Sequence, residues 1–170
     1  MELSELLRPE LVEVDFAART PEEAIEALIR LLVARGELPA ALEEAARRAV
    51  LEHERRRSTG MAHGVALPHG ALDGPEEILC ALGIAREGIR WPALDGGPVD
   101  LVLLLVVPAN RLQVHVRVLA GIARLLNDRH LRERLRAARN AEQAYAAICA
   151  AEGREEPSLS SPSGEGAAAG

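Results

Sequence analysis

The chain contains no lysine; all twenty of its Lys-plus-Arg residues are arginines. That absence excludes Schiff-base chemistry and a phosphate-loop lysine. Aromatic side chains are nearly as scarce, with Phe16, Trp91 and Tyr145 the full set. A platform that stacks bases or sugars needs several aromatic faces, so a nucleic-acid module of that kind is not expected. The net charge of −6 argues in the same direction, against broad contact with phosphate backbones or anionic lipid. Cysteine is limited to Cys80 and Cys149, which lie in unrelated segments, form no metal or redox pair motif, and read as small apolar residues. The most apolar run, Val99 to Pro108, is too short to span a bilayer. The first residues, MELSELLRPE, lack a basic region followed by an apolar stretch. A cytoplasmic protein with no direct membrane insertion is therefore expected.

What is present suffices for one domain. Of 170 residues, 48% are apolar, and with so few aromatics the core has to be aliphatic. Residues 1–153 carry the periodic patterns of a single folded unit. From Arg154 onward REEPSLSSPSGEGAAAG offers too little apolar surface to offset ordering, so residues 154–170 read as a disordered tail. Thr20-Pro21-Glu22-Glu23 is a capping box with proline at the first helical position, and Gly36 closes that helix. A second helix follows Pro39, runs from Glu43 to His53, and loses its pattern in Arg55-Arg56-Arg57. A third begins near Asn110, with Leu112, Val116, Leu119, Ala123 and Leu126 on one face; shorter ones start at Asp128 and Asn140. Strand signals fall at residues 11–14, 65–67, 78–85 and 99–107, the last almost wholly apolar and so expected to be covered on both faces. The order of elements predicts an α/β domain: a mixed central sheet of about five strands flanked by helices on both faces.

With lysine absent, five histidines are the main groups that titrate near neutrality. His69 follows a short apolar strand in GVALPHG, where Pro68 fixes one backbone angle and Gly64 and Gly70 keep the surroundings open. Such a strand end either presents an imidazole to a ligand or simply buries it. His115 stands near the start of the third helix, beyond the end of the central strand, where unpaired amides favour anions and a neutral imidazole. It reads equally as a core-edge residue. Two imidazoles meeting there would suit a metal or a travelling phosphoryl group. His63 in a glycine-flanked turn, His53 on the second helix and His130 on a polar helix read as surface or turn residues. Arg55, Arg56 and Arg57 form a solvated helix end, but they lead into Ser58-Thr59-Gly60, a turn with hydroxyls and amides suited to an oxyanion. No carboxylate–histidine spacing of the usual zinc kinds accompanies them.

The stretch ERRRSTGMAHGVALPHG, Glu54 to Gly70, resembles the active-site signature of enzyme IIA of the fructose–mannitol class (type 2) in the phosphoenolpyruvate-dependent phosphotransferase system. The block from Gly96 to Asp128 resembles the second half of that family, including its histidine, and the likeness spans roughly residues 1–152. Within the class it looks most like the nitrogen-regulatory branch. The resemblance implies a mixed sheet with helices on both sides, and no cofactor and no metal. It implies that His69 accepts a phosphoryl group from an HPr-like phosphocarrier and passes it to a IIB component of a sugar transporter. In the nitrogen-regulatory branch the same phosphorylation would instead control regulatory protein targets. It further implies that His115 lies beside His69 as the second catalytic histidine. Ser58, Thr59, Arg55 and His53 are the candidate supports of the phosphoryl site. The chain departs from the family pattern at three positions: His53 stands where the family has arginine, Arg57 where it has glycine, and His63 where it has asparagine.

Overall fold

The computed structural model describes residues 1–154; the expected tail, from residue 155 on, lies outside the described residues. Six α-helices and five strands appear in the order α1 (Leu3–Leu6), β1 (Val12–Glu13), α2 (Pro21–Ala34), α3 (Glu43–Arg56), β2 (Val65–Ala66), β3 (His69–Leu72), β4 (Leu79–Ile89), β5 (Val99–Pro108), α4 (Leu112–Leu126), α5 (Arg129–Ala137) and α6 (Ala141–Arg154).

The centre is the antiparallel pair β4–β5, with Leu82 opposite Leu103 and a break in register between Ile84 and Ile89. β1 adds to β4 in parallel. β2 and β3 both pair with β5 in parallel, so they share its other edge in succession. Residues 101–107 of β5 are all buried. Because successive strand side chains point to opposite faces, this burial means both faces are covered, as the unbroken apolar run predicts. The mixed sheet is thus the expected one, with the parallel edge strands set outside a long antiparallel hairpin.

Local chemistry explains the helices that position the site. Thr20 Oγ1 accepts from the Glu23 amide at 3.2 Å, Pro21 opens α2, and Gly36 at φ 76° ends it. Beyond the end, Gly36 N–H bonds to Val33 O and Glu37 N–H to Leu32 O, the paired bonds of a Schellman motif. Ile25, Leu28, Ile29 and Leu32 of α2 are fully buried. α3 runs through the arginine run as far as Arg56 rather than stopping at His53. Glu43 and Glu44 lie in its first turn and His53, Arg55 and Arg56 in its last, the arrangement the helix dipole favours.

Two features depart from the sequence pattern. β3 is an additional strand: His69 follows the short β2, as expected, and also begins a strand of its own. His-Gly-Ala-Leu carries almost no intrinsic strand preference, and its four pairings with β5 decide the matter. α4 turns the face bearing Leu112 and Val116 outward, at 60% and 67% exposure, and buries Val118, Ile122, Leu125 and Leu126. At the far end, Glu152 of α6 accepts the amides of Leu3 at 2.7 Å and Ser4 at 2.9 Å, tying α1 to the body. Arg132 caps α4 by donating to the carbonyls of Leu126 and Asn127. No helix among the described residues is long and apolar enough to cross a membrane.

Candidate active site

His69 is held by the two-residue break between β2 and β3. Within that break the Pro68 carbonyl accepts from Leu105 N–H of β5 at 3.0 Å. The Leu67 carbonyl lies 2.7 Å from Nδ1 of His69. A carbonyl can only accept, so the ring proton of the neutral imidazole belongs on Nδ1 and the lone pair on Nε2. Nε2 has no hydrogen-bond partner among the described residues, and the side chain is half-buried. The site therefore presents one tautomer with its nucleophilic nitrogen free.

Gly70 decides what lies next to it. A Cβ there would sit 2.9 Å from both the Ala49 carbonyl carbon and the Val50 nitrogen, so α3 rests with its backbone directly on β3. One turn further along α3, His53 meets His69, with ring centroids 4.3 Å apart and planes inclined at 47°. His53 Nδ1 is buried and has no hydrogen-bond partner. Burial first, then the neighbouring His69, pushes the His53 pKa below its ordinary 6.5; Glu54 acts the other way, and Arg56 and Arg57 add to the depression.

The turn Ser58-Thr59-Gly60 is folded back onto α3 by Glu54. That carboxylate accepts from Thr59 N–H at 2.9 Å, Thr59 Oγ1–H at 2.6 Å and Trp91 Nε1–H at 2.8 Å. Ser58 Oγ donates to the Pro92 carbonyl and accepts from Gly60 N–H at 3.2 Å. A Cβ on Gly60 would strike the Pro92 carbonyl, which is why glycine stands there. The hydroxyls of Ser58 and Thr59 and the amides of Thr59 and Gly60 are thus spent on holding the turn, where the sequence suggests an open oxyanion nest. Glu54 and Trp91 carry this arrangement, and sequence reasoning missed both. The available signals were a carboxylate directly before the arginine run and a single tryptophan in an aromatic-poor chain. Glu54→Ala is expected to lower stability by about 2–4 kcal/mol, since it strands the buried indole N–H and the Thr59 amide. Urea denaturation and the fluorescence of the sole tryptophan would register it.

Arg55 is exposed and holds no ion pair or hydrogen bond, and Arg57 is likewise exposed, whereas Arg56 pairs with Glu52 at 3.6 Å. His63 lies outside the site at φ 65°, its N–H bonded to Asp95 and its carbonyl to Arg136. Histidine, with asparagine and aspartate, is among the non-glycine residues that adopt this left-handed conformation most readily. His130 sits exposed at the start of α5.

His115 occupies the first turn of α4 but turns inward. It is 3% exposed with neither ring nitrogen partnered. It lines a cavity of about 470 Å³ together with Glu5, Arg8, Glu76 and Arg111. Burial, and then Arg111, pushes its pKa below 6.5. The imidazole in ring contact with His69 is that of His53; His115 and His69 share no hydrogen bond or ring contact. Both depressed histidines bind fewer protons folded than unfolded. Stability is therefore expected to be full above about pH 6.5 and to fall as the pH drops below it. Urea midpoints at pH 7.5 and 5.5, compared between the wild type and His115→Leu, should show this, with the variant losing less on acidification. No group of three or more His, Cys, Asp or Glu residues that could hold a metal occurs among the described residues.

The fold and the site define a mixed-sheet α/β domain built around paired imidazoles at the start of an edge strand. The family model for the phosphoenolpyruvate-dependent sugar phosphotransferase system, EIIA 2, matches residues 5–150, and the chain belongs to that family. It is 32% identical to a nitrogen regulatory protein of Bradyrhizobium diazoefficiens over 148 residues, covering 87% of this chain and 95% of that one. It is 31% identical to the fructose-specific EIIA component of Haloferax volcanii, covering 79% of this chain and 86% of the other. Among solved structures, nitrogen regulatory protein IIA-Ntr from Neisseria meningitidis superposes with a TM-score of 0.77 at 28% identity. That match covers 86% of this chain and 98% of the other.

Proposed function

We propose that this chain is a cytoplasmic phosphohistidine phosphocarrier: Nε2 of His69 accepts a phosphoryl group from an HPr-like donor and surrenders it to a IIB component. The single observation that carries the reading is the bond between His69 Nδ1–H and the Leu67 carbonyl, which leaves the Nε2 lone pair free. In the transfer, the Nε2–P bond forms from that lone pair as the donor N–P bond breaks. The electron pair of the broken bond stays on the donor nitrogen, which takes up a proton. Nδ1–H remains on the Leu67 carbonyl, which stabilises the positive charge that develops on the ring. Onward transfer repeats the step with His69 as the leaving group. Such chemistry needs positioning and charge stabilisation more than covalent machinery. Arg55, an exposed cation without a partner, supports the reading as a mobile countercharge. The reading leaves Ser58 and Thr59 the role of holding the turn behind the imidazole, and gives His115 no direct contact with the acceptor ring.

The nitrogen regulatory relative favours a second reading, in which the same phosphorylation switches binding to regulatory protein targets. One experiment separates both readings from failure. The chain is incubated with labelled phosphoenolpyruvate and the donor proteins, then presented to IIB components and, in parallel, used for capture from lysate in phosphorylated and unphosphorylated form. One acid-labile phosphoryl group on His69 is expected. Onward transfer to IIB supports the carrier, and phosphorylation-dependent capture of non-transporter partners supports regulation. No label on His69 overturns both.

A further inference from the structure

We infer that His53 takes up a proton when His69 is phosphorylated, acting as a titrating positioning residue that supplies positive charge beside the phosphoryl group only in the phosphorylated state. The inference rests on the proposed acceptor role of His69.

Three observations carry it. The His53 ring lies 4.3 Å from that of His69, centroid to centroid, so a phosphoryl group on His69 falls within reach of its field. Nδ1 of His53 is buried without a partner, leaving hydrogen-bonding capacity that the resting structure does not use. The residue also stands in the last turn of α3, where the carbonyl end of the helix dipole favours an imidazolium.

The groups that act on His53 are few. β3 presents His69; α3 itself contributes Glu54, Arg56 and Arg57. Glu54 is already bonded to Thr59 and Trp91, and Arg56 is paired with Glu52. α2, also packed on α3, presents Glu26, which is bonded to Arg47. At rest, burial and the facing imidazole both disfavour protonation of His53. Phosphorylation places a dianionic group on that neighbour, and an opposite charge at about 4–6 Å raises a histidine pKa by about 1–3 pH units. The proton comes from bulk water and forms an N–H bond with a ring lone pair of His53; no bond between His53 and the phosphoryl group forms. A permanent guanidinium at this position would be charged in both states. Histidine here makes phosphorylation consume a proton, so the phosphorylated fraction falls as the pH rises.

The test uses the full chain and phosphoramidate as the phosphoryl donor. Its P–N bond breaks with the electron pair going to nitrogen, which leaves as ammonia, while Nε2 of His69 gains the phosphoryl group. The His53 ring proton is followed by NMR between about pH 5 and 9, before and after phosphorylation. Its titration midpoint should rise by about 1–3 pH units; an unchanged midpoint in a chain that carries phosphohistidine at His69 sinks the inference and leaves the carrier reading standing. Failure to phosphorylate His69, with phosphoramidate or with the phosphoenolpyruvate-driven donors, sinks both. A second readout is the ratio of phosphorylated wild type to phosphorylated His53→Gln. It should fall about tenfold per pH unit between the two midpoints, and a flat ratio counts against the proposal. His53→Arg should behave as a permanently protonated His53, with no such dependence.

Discussion

A His69→Ala chain is expected to take up no phosphoryl group at all while remaining folded. The side chain is half-buried and makes one hydrogen bond, to the Leu67 carbonyl, so its removal should cost about 1 kcal/mol of stability. The strand beneath is held by other bonds: β3 keeps its four pairings with β5 and its packing under α3. His53 has its Nδ1 buried, and His115 has both ring nitrogens buried. Labelling with phosphoenolpyruvate and donor proteins should therefore fall to background, with urea midpoints near those of the wild type. Residual label that maps to His53 or His115 would contradict the assignment of the acceptor.

Gly70→Ala is expected to damage the fold and the site together. The added methyl would lie 2.9 Å from backbone atoms of Ala49 and Val50, which cannot swing aside as a flexible side chain would. α3 has to lift from β3, and overpacking of this kind costs about 1–3 kcal/mol. The displacement carries His53 away from His69, so the ring contact at 4.3 Å is lost as well. Gly121→Ala is the control: it lies on α4 with nothing within 4 Å of the added Cβ, and alanine is the better helix former. It should be stabilising by up to about 1 kcal/mol. Chemical denaturation of the two variants against wild type measures the contrast, and equal effects would show that α3 and β3 do not depend on Gly70 for their approach.

The residues Gly70, Glu54 and Trp91 mark where reading the chain stops and folding begins to decide. A glycine after a histidine is legible as a permissive residue. That its missing Cβ admits the backbone of a helix about twenty residues earlier follows only once β3 is laid along β5. The same pairing creates β3 itself, since His-Gly-Ala-Leu has no alternation or β-branched residues to announce a strand. α4 makes the point in another way. Leu112, Val116, Leu119, Ala123 and Leu126 form one apolar stripe and Val118, Ile122 and Leu125 another, and helical period alone does not rank them. The structure buries the second together with Leu126 and leaves Leu112 and Val116 exposed.

Short-range codes, by contrast, were complete in the sequence. The Thr20 cap, the closing glycine at Gly36 and the apolar run of β5 each depend on a few neighbouring residues and appear as expected, although the Glu23 carboxylate accepts from Arg19 N–H where a full capping box would use Thr20 N–H. So does the placement of His69 beside a proline-fixed break. Tertiary structure alone determined that His53 is its ring neighbour, that His115 turns inward with both ring nitrogens buried, and that Ser58 and Thr59 are bound into their own turn. The physical reason is range: caps and turns satisfy their own backbone groups locally. The pairing of two imidazoles from different elements requires the sheet register, the helix seat on Gly70 and the Glu54 anchor to be in place together.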